Sequence, residues 1–206
     1  MTIEWLKDKL TKSFKNELPG WEAQKILSPG YNPAYRKAKP DAKKASVMAL
    51  ISNHNDKPHL IYIKRASHYA KDKHKGQISF PGGQIEKGET KYDAVIREVE
   101  EEVGIRLEQY EIIGELSSLY IFVSNFLVYP YVAFANEELN FNIDVKEVEK
   151  VIQWPLDMFL QGTEMKDISI RNATIKDVPY YPIGNEALWG ATSMITSELL
   201  TMLSQD

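Results

Sequence analysis

The chain has 206 residues and a mass of 23.6 kDa, with 43% apolar and 26% charged residues, the balance of a globular domain and not of a disordered chain. It contains no cysteine, which excludes a disulfide scaffold, a thiolate metal site and a cysteine nucleophile, and no apolar run approaches the roughly 20 residues needed to span a bilayer. The net charge of −4 hides an asymmetry: residues 1–75 carry 16 Lys and Arg against 7 Asp and Glu, residues 76–206 carry 9 against 22, which fits either an anionic partner at one surface and a cation at another or plain mixing of both signs on one packed surface.

The N-terminal stretch interleaves charge with apolar residues and lacks a secretory h-region, so a soluble cytoplasmic protein is expected. Ile3, Leu6, Leu10 and Phe14 recur at helical spacing and predict an amphipathic helix over 3–17, stopped by Leu18-Pro19-Gly20. Residues 28–44, rich in Pro and Lys, read as a connection or extended arm. Strands are predicted at Ser46–Ile51 and His59–Lys64, joined as a hairpin by the polar turn Asn53–Pro58. A basic loop over 66–76 leads to a short strand, Gln77–Phe80, stopped by Pro81-Gly82-Gly83. Thr90–Val103 is the clearest helix, with Thr90 as cap and Gly104 placed for a left-handed stop. Further strands are expected at Ile112–Ile121, at Phe126–Phe134 with Pro130 on an edge or bulge, and at Val148–Gln153, then a short helix at Leu156–Leu160. Ile168–Arg171 and Val178–Tyr181 are candidates for pairing. A closing helix would bury Leu188, Ala191, Ile195, Leu199 and Met202. Strands mixed with a few helices predict an α+β or mixed-sheet α/β/α domain.

The informative stretch is Pro81–Leu107. Glu98, Glu100, Glu101 and Glu102 crowd the last turns of its helix, where the dipole favours cations, and Glu98 and Glu102 form an i,i+4 pair of like charge. At helical spacing Glu98, Glu101 and Glu102 share one arc, while Val95, Val99 and Val103 form a separate apolar stripe. Either the acids form a solvated face, or three carboxylates converge on a hard divalent cation such as Mg²⁺, which takes oxygen ligands and shares them with substrate phosphate. The preceding Gly82-Gly83 lets backbone approach a ligand closely. Together loop, helix and acids look like an anionic-substrate site bridged by metal.

The same stretch matches the Nudix box, G-x5-E-x7-R-E-U-x-E-E-x-G-U with U aliphatic, at Gly83, Glu89, Arg97, Glu98, Val99, Glu101, Glu102, Gly104 and Ile105. The chain thus resembles Nudix hydrolases. The resemblance implies a Nudix fold, an α/β/α sandwich with a mixed β-sheet, that hydrolyses a nucleoside diphosphate linked to another group with Mg²⁺ or Mn²⁺. It implies that residues 1–206 form a single such domain, 1–44 a helix and arm and 45–206 the catalytic core. Carried onto matching positions, Glu98 and Glu102 are the main metal ligands, Glu101 a further ligand direct or through water, and the Gly82 carbonyl another. Arg97 would orient the glutamates and Glu89 would support them or bind another metal. The base would be Glu98 itself or an acid from a later loop, Glu147 and Glu149 being candidates against their reading as ordinary exposed residues.

Upstream, LIYIKRASHYAKDKHKGQISFPGG resembles the region before the box in coenzyme A diphosphatases, with Arg65-Ala66, Gly76, Phe80, Pro81, Gly82 and Gly83 matching. It departs from that pattern at Tyr62-Ile63, in two extra residues before Gly76, and at Asp72, where the pattern has a second arginine. Leu18–Gln24, Leu119–Phe134 and Ala187–Leu200 resemble further segments of that subfamily. The expected partner is therefore a nucleotide-containing small molecule of the coenzyme A class, with Arg65, Lys71, Lys73 and Gly83 as substrate-binding residues; the loop lysines also read as a solvated surface. Another nucleoside diphosphate derivative, such as ADP-ribose or NADH, is the alternative substrate. No membrane is expected as a partner, nucleic acid is disfavoured because the basic run Arg36–Lys44 is short, and a homo-oligomer is left open.

Overall fold

The computed structural model describes residues 1–30, 37–66, 76–170 and 173–204. Among these residues eight strands form a mixed sheet in the order β3-β2-β1-β7-β5, with β4 added to β1, β6 to β7 and β8 to β2. The strands are β1 (Lys43–His54), β2 (Lys57–Arg65), β3 (Ile78–Ser79), β4 (Gly82–Gln84), β5 (Tyr110–Glu115), β6 (Leu119–Ile121), β7 (Phe126–Ala135) and β8 (Val148–Pro155). β1 and β7 run parallel at the centre, and the pairs around them are antiparallel. β9 (Glu164–Ile170), β10 (Ala173–Ile183) and β11 (Glu186–Trp189) make a separate antiparallel sheet.

The central strands read as near-continuous apolar runs because both sheet faces are covered. Alternate residues serve opposite cores. Ala49, Ile51, Leu60, Tyr62, Val132 and Phe134 pack with α1 (Ile3–Ser13), α4 (Ala191–Ser204) and the small sheet. Met48, Leu50, Ile61, Ile63 and Ala133 pack on the other side with Val95, Val99 and Val103 of α3 (Lys91–Val103). This is the expected α+β architecture, helices on both faces of a mixed sheet. No helix among the described residues is long and apolar enough to cross a membrane.

Several local expectations change. The first helix ends at Ser13, not at residue 17, and continues as turns through Lys15 and Asn16 while Phe14 packs over Gly114. The hairpin strands are longer than predicted, and Asn55 and Asp56 make the turn with φ of 51° and 58°. The predicted strand over 112–121 is two, β5 and β6, broken at 116–118. Pro130 lies in central strand β7, not at an edge; on one side it faces that break, where its carbonyl accepts from Leu116 N–H. Leu188 belongs to β11 and not to the closing helix, because the turn at Gly190 (φ 68°) separates them.

Candidate active site

α3 is placed by its ends and its stripe. The Thr90 hydroxyl accepts from the Asp93 N–H at 3.1 Å, Gly104 closes the helix at φ 72°, and the three valines fasten it to the sheet. That anchoring turns Glu98 and Glu102 toward the glycine loop. The loop itself is fixed by Phe80, buried and stacked on Tyr62 at 4.8 Å between ring centroids, and by the Pro81 carbonyl, which accepts from Met48 N–H at 2.8 Å.

The two glycines touch the two acids. Gly82 N–H donates to Glu102 Oε2 at 2.8 Å. Gly82 has φ 145°, and a Cβ there would collide with the β1 backbone at Ser46 and Val47. A Cβ on Gly83 would collide with the Glu98 carboxylate. Both positions therefore exclude a side chain, one for the backbone behind it and one for the acid in front.

Arg97 is the hub of the cluster. Its Nε and Nη2 donate to Glu89 at 2.8 and 3.0 Å, its Nη1 donates to Glu98 Oε1 at 2.8 Å and Glu101 Oε2 at 3.0 Å, and Nη2 also reaches the Gln84 carbonyl at 3.2 Å. Glu89 in turn accepts from Glu86 N–H at 2.9 Å, and the Arg97 guanidinium holds its carboxyl below the usual carboxylate range. A second arginine, Arg65 at the end of β2, donates from Nη1 to Glu102 Oε1 at 3.3 Å.

The acids differ in environment. The Glu102 side chain is 2% exposed, Glu98 14% and Glu101 61%. Burial pushes the Glu102 carboxyl up to about 8, against the opposing pull of the Gly82 N–H and Arg65 and with help from the charges of Glu98 and Glu147. Burial also raises Glu98, against Arg97 and with Glu101 and Glu147 adding to the rise. Among the described residues no three acidic or histidine side chains stand close enough together to hold an ion in this arrangement. Glu101 is turned outward on Arg97, and the inward acids are engaged by Arg97, Arg65 and the Gly82 N–H. The donor set nonetheless suits a hard divalent cation: carboxylate oxygens with no thiolate, two of them desolvated and mutually repelling, a penalty that a cation would relieve.

Lys71, Lys73, Lys75, His68 and His74 lie outside the described residues. His54 and His59 sit together at the β1–β2 hairpin, their rings 5.3 Å apart. At that end too is a concavity of about 420 Å³ lined by Asn53, Asp56 and Glu138 among others, well away from the glycine loop. Of the two later acids weighed from sequence, Glu149 pairs with Lys64 at 3.2 Å. Glu147 is exposed, yet its charge bears on both Glu98 and Glu102. No spacing rule finds it: β8 pairs with β2 so that Val148 stands opposite Arg65, and Ala66 N–H donates to the Glu147 carbonyl at 2.8 Å.

The profile of the NUDIX domain matches residues 42–170, more than half of the chain. An uncharacterized Nudix hydrolase NudL from Enterobacter sp. (strain 638) is 34% identical over 146 residues, 70% of this chain and 74% of that protein. Nudix hydrolase 3 from Caenorhabditis elegans is 28% identical over 184 residues, 81% of this chain and 76% of that protein. Among solved structures, a MutT/nudix family protein from Enterococcus faecalis superposes with a TM-score of 0.54 at 18% identity, covering 96% of this chain and 73% of that one, which shows the shared fold. The chain belongs to the Nudix family. It is a hydrolase of phosphoric anhydride bonds in nucleoside diphosphate derivatives, and enzymes of this family generally use divalent ions such as Mg²⁺ or Mn²⁺.

Proposed function

We propose that this enzyme hydrolyses the diphosphate linkage of coenzyme A or acyl-coenzyme A, giving 3′,5′-ADP and the corresponding 4′-phosphopantetheine, with Mg²⁺ or Mn²⁺. The observation that carries the reading is the meeting of two separate parts of the coenzyme A diphosphatase-like pattern at one carboxylate. Arg65, from the upstream Arg-Ala pair, and Gly82, from Phe-Pro-Gly-Gly, bond opposite oxygens of Glu102.

Glu98 and Glu102 are the residues that would hold the cation, with Glu101 and the Gly82 carbonyl as further ligands. When bound, such an ion neutralises the diphosphate and acidifies the attacking water. Arg97 keeps Glu98 and Glu101 oriented through Nη1 while Glu89 anchors its other nitrogens. Glu98 or Glu147 accepts the water's proton as its oxygen joins phosphorus and the anhydride P–O bond breaks. Lys71 and Lys73, with Lys75, supply positive charge for the 3′-phosphate.

A substrate panel with product analysis tests this reading. Coenzyme A and acyl-coenzyme A should outpace ADP-ribose and NADH in kcat/KM and release 3′,5′-ADP; preference for ADP-ribose or NADH overturns the substrate assignment. Neutralising Lys71, Lys73 and Lys75 together should weaken coenzyme A more than dephospho-coenzyme A. Equal losses for both would remove these lysines from 3′-phosphate recognition.

A further inference from the structure

The small sheet ends on an open edge. In the order β11-β10-β9, β10 is paired on both sides and β9 on one, and Glu164, Met165, Lys166 and Asp167 of β9 are all exposed. Two prolines fix which way the β9 backbone faces. Pro179 stands opposite Met165 and Pro182 opposite Ala187. A proline has no N–H to give, so each belongs to a pair that exchanges no hydrogen bonds. The two-residue turn at Gly184 and Asn185 agrees: it closes on Ile183 and Glu186 as a bonded pair, and alternation back along β10 leaves both prolines in unbonded ones. Met165 therefore turns its own N–H and C=O away from β10, toward the open edge. Glu164 and Lys166 flank it on one face, both ordered by Tyr180: the tyrosine hydroxyl donates to Glu164, and Lys166 Nζ lies 4.9 Å from the ring centroid. Met165, on the other face, is 60% exposed.

We propose that β9 pairs antiparallel with β9 of a second copy of this chain about a two-fold axis at Met165, which joins two three-stranded sheets into one. Centred there, the outward N–H and C=O of Met165 meet those of the partner's Met165. Glu164 then stands opposite the partner's Lys166, and Lys166 opposite the partner's Glu164, in the unbonded pairs where side chains come closest. An axis at Glu164, Lys166 or Asp167 would instead set a charge against its own copy. The strand has seven residues and neither proline nor glycine, so its backbone does not block a partner. Its charges guard the edge against other strands and match a second copy of themselves. The pairing is independent of the substrate that the enzyme cleaves.

Sedimentation velocity on the full chain tests the pairing. One short strand pair makes a small interface, so wild type should dimerise with a Kd of about 10–100 µM. Glu164→Lys and Lys166→Glu each set like charges opposite one another and should each weaken self-association about tenfold or more. Mixed together, the two variants regain opposite charges at both pairs, so the mixture should form a heterodimer with wild-type affinity. The chain has no cysteine, so Met165→Cys places a single thiol on the axis. A bonded antiparallel pair has its Cα atoms about 5.5 Å apart, within disulfide range. Under mild oxidation Met165→Cys should cross-link at least about tenfold faster than Val123→Cys, an 83% exposed site on the turn between β6 and β7. If either charge variant does not fold, the cross-linking comparison decides. A wild-type chain that stays monomeric at about 500 µM, a dimer indifferent to both charge reversals, or equal cross-linking at the two cysteines overturns the proposal.

Discussion

Glu98 and Glu102 differ by one helical turn, yet each is met by a different glycine, and that sets separate tests. Glu98→Gln and Glu102→Gln should each lower kcat by about two to four orders of magnitude, as expected when a cation loses a carboxylate ligand, with the far-ultraviolet circular dichroism spectrum unchanged. Retained turnover in either variant would sink that ligand assignment. Gly83→Ala places its methyl in the Glu98 carboxylate, which can swing away, so kcat should fall severely while the melting temperature moves little. Gly82→Ala meets β1 backbone that cannot swing and strains φ 145° as well, so it should cost about 2 kcal/mol or more in a urea titration. If the two alanine variants behave alike, the division of labour between the glycines is wrong.

Among the elements, α4 carries a buried carboxylate outside the site. Glu198 is fully buried; its Oε1 accepts from the N–H groups of Gly20 and Ser117, both at 3.1 Å, and its Oε2 accepts from Gln24 Nε2 at 2.7 Å. The Leu18–Gln24 and Ala187–Leu200 segments, far apart in sequence, are thus one joint, stapled to the break between β5 and β6. Glu198→Ala strands three donors in the interior and should destabilise the protein by about 3 kcal/mol. Glu198→Gln keeps an oxygen for the two backbone donors and should cost clearly less. Equal losses in equilibrium urea unfolding would mean that packing, not hydrogen bonding, holds the joint. α3 shows the opposite case, an element whose cap, stripe and stop lie within 15 consecutive residues and agree with one another.

At the scale of the whole molecule, the raised Glu102 carboxyl couples folding to pH. Its value in the folded chain is about 8 against 4.5 for the free group. Between those values the folded protein retains a proton that the unfolded chain releases, so metal-free stability should fall as pH rises from about 4.5 to about 8 and level off above. Calorimetry in the presence of a chelator should show this decline, and Glu102→Gln should flatten it. Mn²⁺ binding only the folded state should raise Tm, and more at pH 8.5 than at pH 6, because proton and cation compete for the same oxygens. A Tm gain independent of pH would separate the cation from Glu102.

The amino-acid sequence by itself determined the loop–helix unit, since Pro81–Ile105 carries its own cap, glycine stop, apolar stripe and acid spacing, and local rules act within a few residues. It also determined the paired strands β1 and β2, and its match to the Nudix box implied the class of chemistry, whereas the row of glutamates against the helix dipole by itself fits a solvated face as well as a cation site. Of the two places the sequence allowed Pro130, an edge or a bulge, the edge is wrong: the residue stands opposite the irregular gap between β5 and β6. Leu188 was misplaced because an apolar residue at helical spacing fits a strand before a turn equally well. Only the tertiary structure decided that Glu101 faces out on Arg97 while Glu98 and Glu102 face in, that Arg65 sits on Glu102, and that Glu149 turns to Lys64 while the Glu147 carbonyl accepts from Ala66 N–H next to Arg65. The Arg65 and Glu149 relations depend on the pairing of β2 with β8 and the closure of the glycine loop on β1, contacts between residues tens of positions apart whose energies no local pattern encodes.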